Sequence, residues 1–321
     1  MGLAQPPPPP PPRPTDIPSK QSSSSSSLYS RAKNYLQSAA IDVLRAGPIP
    51  RHVGFIMDGN RRYARKAGVQ TGVGHAMGSK KLEETLEWCL RLGVKVVTVY
   101  AFSIENFKRP AAEVDVLMDL ASRKLEEFSN NSAFITKHSI RIKVLGDVSL
   151  LPPHVRTAAA RAERSTRHHA GAVLNIACPY TSRHEMATAV ALAARGVREA
   201  RLDVEDVDEE LLDRLMMTGG DPQLDVLVRT SGEKRLSDFL LWQVSKSCRV
   251  HFLDVLWPDF TFWDMLPVLL AYQVHSSPKQ SLSPSSPSPA SPNSDTHRSP
   301  AARERIDRYL QLLEREHFAE A

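Results

Sequence analysis

His52-Val-Gly-Phe-Ile-Met-Asp-Gly-Asn-Arg-Arg62 is an apolar run that stops on an acid, a glycine and two arginines. Residues 53–57 read as a short buried strand. Asp58 leaves its tip, Gly59 permits close backbone approach, and a helix is predicted to begin at Asn60. The switch from strand to helix recurs along the chain. Apolar, β-branched runs at 95–102, 140–145, 172–177, 225–228 and 249–252 alternate with helical spacing near 75–92, 113–129, 154–169, 182–198 and 208–217. This alternation predicts an α/β fold: a central, mainly parallel six-stranded sheet flanked by helices. The runs are nearly continuous in hydrophobicity, as a sheet covered on both faces requires.

Outward from this core the composition changes. Residues 1–27 hold a proline run (Pro6 to Pro12) and a serine run (Ser22 to Ser27), and read as a disordered tail. Residues 28–46 read as an amphipathic helix, with Leu28, Ala32, Tyr35, Leu36, Ala39, Ala40, Val43 and Leu44 on one stripe. Packing on protein and contact with a membrane surface both fit it. Residues 47–275 form one domain, 276–300 a Ser/Pro-rich disordered insertion, and 301–321 a closing charged helix. In that helix Ile306, Tyr309, Leu310, Leu313 and Phe318 are placed to dock on the domain or on another subunit.

The 321 residues carry a net charge of +5, which suits anionic partners. The basic residues are dispersed and not interleaved with aromatics, which argues against nucleic acid. The 3 cysteines, Cys89, Cys178 and Cys248, are widely spaced and form no disulfide or C-x-x-C framework. No apolar run reaches the length of a membrane span. The first residues lack the apolar core of a signal peptide, and Pro6 spoils a myristoylation motif.

Ligands of open parallel sheets bind beyond the carboxyl ends of the strands. Asp58-Gly59-Asn60-Arg61-Arg62 follows the first strand. A carboxylate for Mg²⁺, guanidiniums for phosphate and a helix N-terminus suit a metal–diphosphate; a capped turn with surface arginines has the same residues. Ser103-Ile104-Glu105-Asn106-Phe107-Lys108-Arg109-Pro110 follows the second strand and offers a hydroxyl and an amide, or only a polar loop. Arg229-Thr230-Ser231-Gly232-Glu233-Lys234-Arg235-Leu236-Ser237 follows the fifth, a second anion site or a solvated basic loop. Two such sites on one sheet edge suggest two diphosphates whose hydrocarbon parts meet over an apolar cleft.

Other motifs fail. Gly72-Val-Gly-His-Ala-Met-Gly78 has its last glycine one position late for a dinucleotide loop and follows no strand. His184-Glu185 has Thr188 where a zincin needs histidine. The chain has no P-loop, and no D-D-x-x-D of the all-helical prenyltransferases.

Stretches 52–62, 99–107, 229–243 and 257–260, in that order and spacing, resemble the signatures of the cis-prenyltransferases, the undecaprenyl diphosphate synthase-like family. The resemblance covers about 47–275. It implies condensation of farnesyl or another allylic diphosphate with several isopentenyl diphosphates, giving a long polyprenyl diphosphate for dolichol synthesis. Asp58 matches the catalytic aspartate that binds Mg²⁺. Gly59, Asn60, Arg61, Arg62, His75 and Arg109 match the allylic site. Ser103 and Asn106 match residues assisting proton removal, with Glu105 in support. Arg229, Arg235 and Ser237 match the isopentenyl diphosphate site. Helices 82–92 and 114–128 are candidates to wall the tunnel for the growing chain.

Two departures matter. Bacterial members carry a metal-holding glutamate near Cys248, and a thiol is a poor ligand for a hard cation. The chain ends Phe318-Ala-Glu-Ala321 without the family's Arg-x-Gly. The resemblance then implies that a Nogo-B-receptor-like membrane subunit completes the site in a heteromer at the cytosolic face of the endoplasmic reticulum. A non-catalytic scaffold subunit of that complex is the alternative, opposed by the presence of Asp58, Arg62, Arg229 and Arg235.

Overall fold

The computed structural model describes residues 23–130, 133–276 and 298–320. Residues 1–22 of the expected tail and 277–297 of the expected insertion lie outside them. The chain divides into two compact units, one ending at Ala40 and one starting at Ile41. Helix α1 (Ser23–Leu44) supplies the described part of the first unit. It starts earlier than residue 28, because a serine run has no helix breaker and continues the turn already formed. In this unit Tyr35 and Leu36 are exposed. In the second, Ile41 and Leu44 are buried.

The second unit is built on a six-stranded sheet of order β3-β4-β2-β1-β5-β6. Its strands are β1 (His52–Ile56), β2 (Val96–Tyr100), β3 (Ile140–Leu145), β4 (Ala172–Ala177), β5 (Val226–Arg229) and β6 (Arg249–Phe252). Every pairing is parallel. Between them run α2 (Asn60–Ala67), α3 (Thr71–Leu92), α4 (Ala111–Ser129), α5 (Ala133–Lys137), α6 (Pro153–Thr166), α7 (Ser182–Arg198), α8 (Glu209–Leu215) and α9 (Leu241–Val244). After β6 come α10 (Phe262–Ser276) and α11 (Pro300–Glu320).

Two boundaries bear on function. The fifth strand runs to Arg229, one residue beyond the expected end. Arg229 pairs with Ile56 and Phe252 and is buried within the sheet. Asp225 instead closes the other end, accepting the Arg51 and His52 N–H groups at 2.6 and 3.1 Å. The second strand ends at Tyr100, two residues early, where the chain turns so that Ser103 bridges to Tyr180.

Alternating side chains divide the sheet into two faces. Phe55 packs its ring on Trp257 and Phe260, and Trp88 of α3 packs on Phe260 and Phe262. On the opposite face Ile56, Leu145, Ala177 and Leu227 join Tyr180, Phe239 and Leu240. Outside that layer α7 and α8 bury Ile306 and Tyr309 of α11. The closing helix therefore docks on its own domain, with the Tyr309 hydroxyl donating to the Leu192 carbonyl at 2.6 Å. The side chain of Phe318 lies outside the described residues.

A polar seam crosses the sheet beneath its hydrophobic surface. His52 Nε2 meets the Thr98 hydroxyl at 2.7 Å, Asn175 donates to Thr98 at 3.0 Å, and Asn175 donates to Asp221 at 2.7 Å. These bonds satisfy His52 Nε2, the Thr98 hydroxyl and the Asn175 amide nitrogen, which makes their burial tolerable, while Asn175 Oδ1 is buried without a partner.

Candidate active site

The strand ends Ile56, Tyr100, Ala177 and Arg229 lie level in the register, so whatever follows them shares one edge. β1 is central, with β2 on one side and β5 on the other. The loops after these three strands surround the mouth of a cavity of ≈ 1100 Å³. Its lining includes Asp58, Arg62, Ser103, Asn106, Arg229 and Arg235 at the mouth, and Leu82, Met118, Leu125 and Phe128 of α3 and α4 further in. The second set falls on the two helices expected to wall a tunnel.

Asp58 is held from several sides. Its carbonyl accepts from Trp257 N–H at 3.0 Å and from the Thr230 hydroxyl at 2.8 Å. Its carboxylate accepts from Gly59 N–H at 2.7 Å and Arg229 Nη2 at 2.9 Å, and Arg62 Nη2 lies 4.0 Å away. Burial raises its pKa, but the Arg229 hydrogen bond and charge and the Gly59 N–H outweigh this and hold it below the ordinary carboxylate value. Gly59 makes the turn possible: its φ is 107°, and a Cβ there would lie 3.1 Å from the Leu256 Cα. No side chain caps α2, so its first N–H groups are free to meet an anion.

Arg229 is the least exposed of these cations, with a side chain 3% accessible. Beyond Asp58 it donates to the Ser237 hydroxyl at 2.7 Å and to the Arg235 carbonyl. It thus joins the loop after β1 to the loop after β5. Arg235 is 62% exposed and pairs with Glu233, which also lies 3.9 Å from Arg62.

Ser103 and Asn106 cap each other across a short 3-10 helix. Ser103 Oγ accepts from Glu105 N–H at 3.2 Å, and Asn106 Oδ1 accepts from Ser103 N–H at 3.1 Å. These bonds orient both side chains at the mouth. Glu105 pairs with Lys108 and, at 3.8 Å, with Arg183.

His75 on α3 faces the arginines. Its Nε2 is buried without a partner, as is the Asn60 Oδ1. Burial chiefly, then the charges of Arg109 and Arg61, lower the His75 pKa against the opposing pull of Glu113. The glycine run rejected as a dinucleotide loop lies inside α3. A Cβ on Gly74 would sit 2.5 Å from the Asn60 carbonyl oxygen, and one on Gly78 2.3 Å from Asn60 Oδ1. These glycines let α3 approach the start of α2.

Sequence reasoning missed three contributors. Glu113 binds Arg109 at 2.9 Å and lies 3.9 Å from Arg61, holding two cations of the mouth together. Its i,i+4 spacing from Arg109 was the available signal. Tyr100 donates to the Ser237 carbonyl at 3.2 Å. Arg183 lies beyond the tip of β4, a strand whose exit loop showed no phosphate pattern.

Cys248 lies apart from Asp58. It precedes β6, whose first residue pairs with Val226 at the amino edge of the sheet, opposite the edge carrying Asp58. Its thiol, pushed up to about 12 chiefly by burial, packs against the core. Within this chain the thiol is thus separated from the Asp58 carboxylate by the length of the sheet. Among the described residues no group of three His, Cys, Asp or Glu side chains could hold a metal. A lone ionised, partly exposed Asp58 fits Mg²⁺ that takes its remaining ligands from substrate phosphates and water.

Residues 56–278 match the family described as "Putative undecaprenyl diphosphate synthase". The chain belongs to the undecaprenyl diphosphate synthase family. It is 50% identical over 236 residues to dehydrodolichyl diphosphate synthase complex subunit DHDDS of Homo sapiens, covering 74% of this chain and 71% of that one. It is 44% identical over 233 residues to tritrans,polycis-undecaprenyl-diphosphate synthase (geranylgeranyl-diphosphate specific) of Pyrococcus abyssi, covering 73% and 88%. Among solved structures it resembles lavandulyl diphosphate synthase from Lavandula x intermedia in complex with dimethylallyl diphosphate. There the TM-score is 0.65 and the identity 31%, over 70% of this chain and 95% of that one. This member of the family is thus a transferase, a prenyl diphosphate synthase with the cis-prenyltransferase fold.

Proposed function

We propose that this chain is the catalytic subunit that extends farnesyl diphosphate with successive isopentenyl diphosphates to a long polyprenyl diphosphate, the dehydrodolichyl diphosphate used for dolichol synthesis and protein glycosylation. One observation carries this reading. Two arginine-bearing loops, joined by the Arg229–Asp58 pair at 2.9 Å, flank one mouth of a cavity whose depth is apolar. Seven arginines and Lys124 line that cavity against four carboxylates, so it favours anions.

The allylic diphosphate fits the half formed by the α2 N-terminus, Asn60, Arg61, Arg62, His75 and Arg109. Isopentenyl diphosphate fits the half formed by Arg235 and Ser237, with Arg229 between them. The allylic C–O bond breaks and the diphosphate leaves with its electron pair. The isopentenyl double bond attacks the allylic carbon, and a proton leaves the isopentenyl unit to restore an alkene. Arginines and uncapped N–H groups, already in place, meet the charge that grows on the leaving oxygens. Asp58 would hold Mg²⁺, which neutralises leaving-group charge when bound. Ser103 and Asn106 orient the isopentenyl unit and receive or relay its proton, with Glu105 steadying their turn. Apolar side chains of α3 and α4 take the growing hydrocarbon.

A heteromer follows from two considerations. The relatives at 50% identity are named as complex subunits. Among the described residues α11 contributes nothing to the cavity wall, and Arg235 remains exposed at the mouth. We assign the partner to a Nogo-B-receptor-like membrane subunit and the complex to the cytosolic face of the endoplasmic reticulum. No helix among the described residues is long and apolar enough to cross a membrane, in keeping with peripheral attachment through a partner.

The test supplies farnesyl diphosphate, labelled isopentenyl diphosphate and Mg²⁺ to the chain co-expressed with such a subunit. Long-chain product that disappears in Asp58→Ala supports the reading. Absence of product, or product unchanged by that substitution, refutes it. Full activity of the isolated chain would refute the need for a partner.

A further inference from the structure

Residues 231–240 form a strained loop. Ser231, Ser237, Asp238 and Leu240 adopt left-handed backbone angles, with φ of 83°, 52°, 60° and 48°. Non-glycine residues persist there only when their surroundings hold them. The holder is the first turn of α7. Ser182 N–H donates to the Asp238 carbonyl at 2.8 Å. Arg183 N–H and Nε donate to the two carboxylate oxygens of Asp238 at 3.2 and 2.8 Å. Leu241 N–H donates to the Ser182 hydroxyl at 2.8 Å. A carboxylate at a helix N-terminus also gains from the helix dipole. The Asp238 side chain is 14% exposed, so these contacts are partly shielded from water.

The neighbouring residue gives this clamp its consequence. Ser237 receives Arg229 Nη1 at 2.7 Å on its hydroxyl and the Tyr100 hydroxyl at 3.2 Å on its carbonyl. Arg235 supplies Arg229 with a second acceptor from the same loop. The path therefore runs from α7 through Asp238 to Ser237, then to Arg229 and Asp58. We propose that Asp238 is a positioning residue for the isopentenyl diphosphate half of the site. It pins the loop to α7 so that Arg235 and Ser237 stand ready for the diphosphate. Arg183 extends the clamp to Glu105 at 3.8 Å, the loop after β2.

This inference rests on the assignment of the loop after β5 to isopentenyl diphosphate, and the experiment separates the two. Steady-state kinetics of the full chain with its partner subunit are measured for Asp238→Gly, Asp238→Asn and Arg235→Ala. Glycine accepts the left-handed angle, so Asp238→Gly removes the carboxylate without adding strain. Asparagine also tolerates that angle and keeps an acceptor for the Arg183 N–H. Asp238→Gly is expected to raise KM for isopentenyl diphosphate about tenfold and to leave KM for farnesyl diphosphate within about twofold. Asp238→Asn is expected to restore the first value to within about threefold of wild type. Unchanged KM for isopentenyl diphosphate in Asp238→Gly, while Arg235→Ala raises it, overturns the positioning role alone. Equal rises in both KM values with a lowered melting temperature also overturn it, as general loosening. If Arg235→Ala has no effect, the assignment of the loop fails and the inference falls with it. Should Asp238→Gly not fold, Arg183→Met tests the same clamp from its exposed side. A rise of about threefold in the same KM supports the clamp, and no change overturns it.

Discussion

At the scale of single residues, Asp58 sets the electrostatics of the mouth. It is the carboxylate shared by Arg229 at 2.9 Å, Gly59 N–H at 2.7 Å and, more distantly, Arg62. Asp58→Ala removes the carboxylate proposed to hold Mg²⁺ beside the leaving diphosphate, and is expected to lower kcat by about 10²–10³ in a product-forming assay. The same residue predicts a pH dependence of stability. Its pKa is lowered in the folded state: burial alone would raise it, and Arg229 more than compensates. The ion pair thus stabilises the fold above the unfolded carboxylate value of about 3.9 and is lost as pH falls through the folded value. Denaturant unfolding of wild type and Asp58→Asn should differ most above about pH 5 and converge in acid. A gap that widens in acid would contradict this account of the pair.

At the scale of elements, the site depends on how closely α3 approaches α2. Gly78 permits it: a Cβ there would meet Asn60 Oδ1 at 2.3 Å and Trp257 Cδ1 at 3.0 Å. The Trp257 indole also donates to the Gly78 carbonyl at 2.8 Å. Gly78→Ala is expected to cost about 1–3 kcal/mol of stability by overpacking. Because the displaced atom belongs to Asn60, KM for the allylic diphosphate should rise while KM for isopentenyl diphosphate changes little. Thermal unfolding and the two KM values check this together. The run Gly72 to Gly78 is legible as glycine-rich, and it lies inside α3 and not at a strand-to-helix turn. Its purpose was not legible, since the clash it avoids is with a helix whose packing angle the local sequence does not specify.

At the scale of the whole molecule, two layers on opposite sheet faces share out the work. The α3 and α4 side contributes the cavity, and the α7, α8 and α11 side contributes support. Ile306 and Tyr309 are buried there at 0% and 1% exposure. Ile306→Ala should cost about 2–5 kcal/mol in denaturant unfolding of the full chain. KM for either diphosphate should stay near wild type, since α11 lines no part of the cavity among the described residues. A large change in KM would mean that the support layer reaches the site. By itself the sequence determined the order of strands and helices, the parallel sheet and the residues at the strand tips. Each of these follows from local periodicity and from punctuation such as Asp58-Gly59. Only the tertiary structure decided that Arg229 lies inside the sheet as a strut, that Cys248 sits at the far edge, and that Glu113, Arg183 and Asp238 organise the arginines. Those contacts join residues as distant as Asp58 and Arg229. Strand register sets such distances, and it is fixed by burial across the whole sheet and not by any neighbouring residue.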